Sequence, residues 1–315
     1  MSSGPAGQVT RSTRRPPGET VRRTAARRLL RTADGVAVDA AYDHGTGASG
    51  DLAIVVAHGF TGDLERPHVR RAAAVLAQYA AVVTFSFRGH GASGGRSTVG
   101  DREVLDLAAA VAWARELGHT RVVTVGYSMG GSVVLRHAAL YRARAEGGPV
   151  REGARKHEGR TEARTGACSA AEEVSAPAGP SAGERAHADA VVSVSAPARW
   201  YYRGTAPMRR LHWLVMRPTG RLVGRYALRT RIHHRDWDPV PRSPVESVPL
   251  IAPTPLLIVH GDRDGYFPVD HPRMLAEASE GHAELWLEHG MGHAENAAAD
   301  ELLHRIGAWA AAAAG

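Results

Sequence analysis

The chain has 315 residues, 43% hydrophobic and 23% charged, enough to bury a large α/β core, and its single cysteine, Cys168, excludes a disulfide scaffold. A formal charge of +7 would ordinarily suggest nucleic acid or an anionic membrane as partner, but eight Arg against Glu19 within residues 1–31 account for all of it. The remainder is neutral overall yet segregated: 201–250 carries ten Arg against Asp236, Asp238 and Glu246, whereas 251–315 carries ten acids against three Arg.

Residues 1–26 are Ser, Thr, Pro, Gly and Arg with almost nothing to bury, and are expected to be a disordered tail. The tail has no aromatic to stack on bases and no apolar face of helical period, so specific nucleic-acid binding is not expected, only weak contact with anionic surfaces. An Arg-rich, acid-poor leader also has the composition of an organellar transit peptide; no apolar run follows it, so a secretory signal is rejected. With one cysteine and no apolar stretch approaching the roughly 20 residues of a membrane span, a cytoplasmic location is expected.

The folded domain is expected over 27–315. Leu29 and Leu30, then Val36, Val38 and Ala40, flank Asp34-Gly35, a hairpin signal. The continuous apolar run at 52–57 reads as a strand buried on both faces. Helix at 69–79, strand at 81–87, amphipathic helix at 101–117, strand at 121–125 and helix at 129–144 follow in alternation. That order implies right-handed βαβ units and a doubly wound, mostly parallel α/β sheet. Residues 142–187 contain no Leu, Ile, Met, Phe, Trp or Tyr and are expected to be a disordered insertion. The sheet resumes at 189–194, and strands at 256–259 and 284–287 and a helix at 296–312 complete it. Between them, 199–250 gathers Trp200, Tyr201, Tyr202, Trp213, Tyr226 and Trp237.

Gly126-Tyr127-Ser128-Met129-Gly130 follows a strand and precedes a helix, the context in which a tight turn projects a serine hydroxyl and glycine avoids clashes. A Gly-rich βα turn holding a phosphate at the helix N-terminus is the competing reading. A serine hydroxyl is a weak nucleophile and requires a base oriented by an acid. Loops after two later strands supply both in that order, His260-Gly261-Asp262-Arg263-Asp264-Gly265 and His289-Gly290-Met291-Gly292-His293.

From 29 to 312, apart from the insertion, the chain resembles the α/β-hydrolase superfamily. The resemblance is carried by His58-Gly59-Phe60, Arg88-Gly89-His90-Gly91-Ala92-Ser93, the turn at 126–131, and the pair His260 to Asp264 with Gly292-His293. It implies Ser128 as nucleophile, Asp264 as acid, His293 as base, an oxyanion hole from the N–H groups of Phe60 and Met129, a short lid at 199–250 after the sixth strand, and no cofactor. Asp262 and Asp270 compete with Asp264 for the acid, and His289 with His293 for the base. His289 and His293 lie on a Gly-rich loop, not on one helical face, so a zinc-peptidase pair is not expected, nor a metal site elsewhere. His58 and His90 are expected to hold loops near the site.

Serine at 128 sets aside the branches of the superfamily that use Asp or Cys there, and the motifs look most like those of acylglycerol lipases, small esterases, thioesterases and serine aminopeptidase-like hydrolases. A serine hydrolase acting on a small-molecule carboxylic ester or thioester is expected. All three triad positions are filled, which weighs against a non-catalytic binding protein of this fold. Two features of 199–250 stay open: its aromatics, with Met208 and Met216, either line an acyl pocket or pack as core. Its Arg residues are expected to pair with the acidic C-terminal segment in preference to an anionic ligand or lipid surface.

Overall fold

One eight-stranded sheet, in the order β1-β2-β4-β3-β5-β6-β7-β8, organises the computed structural model, which describes residues 26–47, 50–142 and 185–315. The expected tail up to residue 25, and 143–184 of the expected insertion, lie outside the described residues. The hairpin read at Asp34-Gly35 is β1 (Ala26–Arg31) paired antiparallel to β2 (Ala37–Asp43). β2 is antiparallel to β4 (Ala81–Phe85), and from β4 onward every pairing is parallel, through β3 (Leu52–Ala57), β5 (Arg121–Tyr127), β6 (Ala190–Val194), β7 (Leu256–Gly261) and β8 (Ala283–Glu288).

The two-residue period of each strand divides the core in two. Ala53, Val55, Ala57, Val122, Leu256 and Ile258 face one layer, built with α2 (Glu103–Glu116), α3 (Met129–Leu140) and α7 (Asp270–Ala278). Leu52, Ile54, Val56, Val123, Val125, Leu257 and Val259 face the other, built with α1 (Pro67–Leu76), α8 (Ala294–Ala297) and α9 (Asp300–Ala313). Full burial of each Leu or Ile contributes about 1.5–3 kcal/mol, which is why these central strands read as unbroken apolar runs.

Between β6 and β7 lie α4 (Ala206–Met216), α5 (Pro218–Tyr226) and the short α6 (Pro244–Ser247), in the position expected for a lid.

Three elements depart from the sequence pattern. α2 is buried nearly all round and is not amphipathic. Its polar positions are internal because Glu103 accepts from Ser97 Oγ (2.8 Å), Thr98 N (2.8 Å) and Gly100 N (3.0 Å), and Asp106 accepts from Arg88 Nε (2.9 Å) and N (2.8 Å). α7 is missing from the sequence reading; its Pro272 falls in the first turn, where a missing N–H is tolerated. The last helix is two, because Ala298 and Ala299 are extended, and the Arg71 guanidinium donates to Glu295 O (3.1 Å) and Ala298 O (2.5 Å) at the break.

Candidate active site

β4 lies on one side of β3 and β5 on the other, so the chain direction across the sheet reverses there and a crevice opens beyond the carboxyl ends of the strands. The loops after β3, β5, β7 and β8 all deliver residues to it. Ser128, between β5 and α3, has φ 53° and ψ −113°, a left-handed backbone that a side-chain-bearing residue holds only where its surroundings enforce it. Close packing enforces it: a Cβ on Gly126 would stand 2.2 Å from Gly130 O, and one on Gly130 would stand 2.2 Å from Ala57 O. The turn is therefore locked between β5 and β3, and the hydroxyl points out of it.

Ser128 Oγ lies 2.9 Å from His293 Nε2, and His293 Nδ1 lies 2.7 Å from Asp264 Oδ2. This arrangement suits one tautomer, with Nδ1–H donating to the carboxylate and the Nε2 lone pair accepting the serine proton. Asp264 Oδ1 accepts from the N–H groups of Tyr266 (2.8 Å) and Phe267 (3.1 Å). Burial by itself would raise the Asp264 pKa, but the hydrogen bond and charge of His293 and the Phe267 N–H outweigh it and hold the carboxyl below its ordinary value. The His293 ring stacks on Tyr266, 4.3 Å between centroids, with Phe267 edge-on at 5.6 Å.

The competing residues lie elsewhere. Asp262 accepts from Gly290 N (2.7 Å) and bonds His289 Nδ1 (2.8 Å), tying the β7 loop to the β8 loop, and the His289 side chain is 89% exposed. Asp270 pairs with Arg199 at 3.1 Å. His58 donates from Nδ1 to Gly59 O (2.7 Å) and accepts Phe87 N–H at Nε2 (3.0 Å); His90 bonds Arg88 O (3.0 Å) and Thr61 N (3.3 Å). Burial first, reinforced at His58 by the neighbouring His90, lowers them to about 3 and about 4, so both are neutral. His260 is buried beside Asp264, with Nε2 donating to Phe267 O (2.8 Å). Among the described residues no group of three or more His, Cys, Asp or Glu is placed to hold a metal ion.

Phe60 and Met129 flank Ser128 in the same cavity, and among the described residues neither backbone N–H has a hydrogen-bond acceptor. Two residues absent from the sequence reading fix these loops. Glu295, two residues beyond His293 and buried, accepts the Gly59 N–H at 3.1 Å; Ser195, itself left-handed at φ 52°, accepts the Ala294 N–H at 3.0 Å. No local motif marks either one, because Glu295 meets a loop 236 positions earlier.

The cavity at Ser128, about 140 Å3, is walled by Trp200, Tyr201, Tyr202, Met208, Met216 and Trp237. Trp200 Nε1 donates to Pro241 O (2.9 Å) and Trp237 Nε1 to Thr98 O (2.7 Å), so both indole N–H groups are satisfied by backbone carbonyls, and the two rings meet edge-to-face at 5.0 Å. The even choice between pocket and core thus resolves by residue: these six line the pocket, while Trp213 and Tyr226 are 47% and 75% exposed. The expected pairing of the Arg-rich segment with acids of 251–315 is not found for Arg203, Arg209, Arg210, Arg217, Arg221, Arg225, Arg229, Arg231 or Arg235 among the described residues. Of those acids, Glu288 pairs with Arg305, Asp262 with His289 and Asp300 with Arg71, while Asp270 does meet Arg199 at the start of the 199–250 segment.

A sequence model of the alpha/beta hydrolase family matches residues 54–305. Among solved structures the chain is similar to an esterase from Pyrococcus furiosus, 20% identical over 92% of this chain and 93% of that one, with a TM-score of 0.62. It is also similar to an alpha/beta hydrolase from Penicillium sp. sh18 (15%, 92% and 99%, TM-score 0.59) and to a serine hydrolase without a lid from Xanthomonas campestris (18%, 91% and 91%, TM-score 0.52). At these identities the likeness is one of fold. No curated protein matches the sequence.

Proposed function

The chain belongs to the alpha/beta hydrolase family, and from that premise we propose that it is a serine hydrolase cleaving carboxylic esters or thioesters of small molecules with an apolar acyl group. The observation that carries this reading is the continuous hydrogen-bonded line Ser128–His293–Asp264, at 2.9 and 2.7 Å, opening onto an aromatic-walled cavity.

Ser128 Oγ attacks the acyl carbon while His293 Nε2 takes its proton. The carbonyl electron pair moves onto oxygen, and the N–H groups of Phe60 and Met129 receive that oxyanion. Collapse re-forms the carbonyl and breaks the bond to the alcohol or thiol, which leaves with the proton from His293. Water then repeats the sequence on the acyl-enzyme and releases the acid and free Ser128. Throughout, Asp264 stays ionised and holds the imidazole in the working tautomer, supported by the Tyr266 and Phe267 N–H groups.

A panel of p-nitrophenyl esters and acyl-thioesters of increasing chain length tests this. Each methylene buried against the Trp200 and Trp237 faces is expected to raise kcat/KM by up to about fourfold until the cavity is full. A panel with no turnover on folded protein would overturn the reading.

A further inference from the structure

Of the eleven large hydrophobic side chains exposed among the described residues, seven belong to the segment between β6 and β7: Tyr201, Trp213, Met216, Leu222, Val223, Tyr226 and Val240. α5 accounts for three of them through an inversion of its usual polarity. Gly220 and Gly224, one turn apart, face the protein, and a Cβ on Gly220 would stand 2.4 Å from Trp213 O while one on Gly224 would stand 3.0 Å from Ile232 Cδ1. Two residues correspond to about 200° of helical rotation, so Leu222 and Tyr226 project on the opposite side, 57% and 75% exposed, with Val223 beside them at 43%. An ordinary surface helix buries such a stripe.

The charge around that stripe is equally unmatched. Arg217, Arg225 and Arg229 are exposed and without an ion-pair partner among the described residues, as are Arg209 and Arg210 one turn before Trp213 on α4. The three acids that share a cleft with Arg225, Tyr226 and Arg229 are already engaged: Asp39 with Arg27 at 2.7 Å, Glu65 with Arg27 and Arg70, and Asp63 with Arg66 at 3.4 Å. We propose that the outward face of α5 with the Trp213 edge of α4 is a docking surface for an anionic lipid layer.

Such a layer uses both halves of the surface: headgroup phosphates meet the guanidinium groups, and the headgroup–acyl boundary takes Leu222, Val223, Tyr226 and Trp213. A soluble acidic protein would satisfy only the charges, and a neutral interface only the apolar stripe. The mode is surface binding, since no helix among the described residues is long and apolar enough to cross a membrane. On its other side α4 presents Met208 and Val215 to the catalytic cavity, so the docked face lies about one helix diameter, roughly 10 Å, from the space at Ser128.

Flotation of the full chain with vesicles of phosphatidylcholine, with or without phosphatidylglycerol, tests the proposal without any substrate, so it stands or falls apart from the hydrolase reading. Wild type is expected to float with the anionic vesicles and not with the neutral ones. The pair Leu222→Ser and Tyr226→Ser, which leaves the Arg-rich segment 1–31 untouched, is expected to bind roughly tenfold more weakly, and Arg225→Gln with Arg229→Gln to lose about as much at low salt. Thermal unfolding checks that each variant is folded. Undiminished binding by the Leu222→Ser/Tyr226→Ser pair, equal binding to both vesicle types, or binding to soluble heparin with none to vesicles would each overturn it.

Discussion

Replacing Glu295 with alanine removes the carboxyl oxygen that takes the Gly59 N–H at 3.1 Å, in a pocket where Glu295 is 4% exposed. An orphaned buried N–H costs about 1–3 kcal/mol, and the loop relieves that cost by turning the His58–Gly59 peptide toward water or another acceptor. The Phe60 N–H belongs to the next peptide, Gly59–Phe60, and is expected to move with it away from the position proposed for the oxyanion. Full loss of one such donor costs about 2.7–4 kcal/mol, or 10²–10³ in kcat; a displaced donor is expected to cost part of this, about 10- to 100-fold in kcat with KM nearly unchanged. Glu295→Gln keeps an oxygen acceptor and should recover most of the rate. Steady-state kinetics on a p-nitrophenyl ester, with thermal unfolding of both variants, separates positioning from stability. Wild-type kcat in Glu295→Ala, or equal losses in the Ala and Gln variants, would rule out a positioning role for Glu295.

Two further outcomes follow from the same geometry. Asp264→Asn is expected to lower kcat by about 10³–10⁴ by favouring the wrong imidazole tautomer, whereas Asp262→Asn, which loosens only the Gly290 and His289 contacts, should leave kcat unchanged; the reverse ranking would place the acid at 262. His58 and His90 hold folded-state values of about 3 and about 4 against roughly 6.5 in an unfolded chain. The unfolded state therefore binds more protons between those limits, so their contribution is complete above pH about 6.5 and is lost as pH falls toward 4, at up to about 1.4 kcal/mol per pH unit for each. Urea unfolding across that range measures the slope, and a flat profile would contradict the buried neutral assignment.

The sheet, and the meeting of Ser128, Asp264 and His293 at one end of it, are legible in the sequence because their signals are local. The run at 52–57 must be buried on both faces, and a Gly-flanked serine between strand and helix has few other uses. What escapes is long-range pairing of polar groups. Glu103 and Asp106 look like the solvent side of an amphipathic helix, yet they are internal because the loop at 97–100 and Arg88 come to them. Glu295 is unremarkable two residues past His293 until β3 brings Gly59 beside it. The opposite charges of 201–250 and 251–315 cancel as a sum, yet Asp300 meets Arg71, Glu288 meets Arg305 and Asp262 meets His289, and among the described residues Arg209, Arg210, Arg217, Arg225 and Arg229 have no ion-pair partner. Composition counts charge; only the fold decides which charges touch.

Ser128 is proposed here as the nucleophile of an acyl-transfer triad. An alkyl fluorophosphonate probe reacts with a serine only when a base activates its hydroxyl, so incubation followed by peptide mass mapping reads that claim directly. One adduct on the peptide containing Ser128, absent from Ser128→Ala and strongly slowed in His293→Ala, is the predicted result. Labelling that persists in folded Ser128→Ala, or none in the folded wild type, would contradict it.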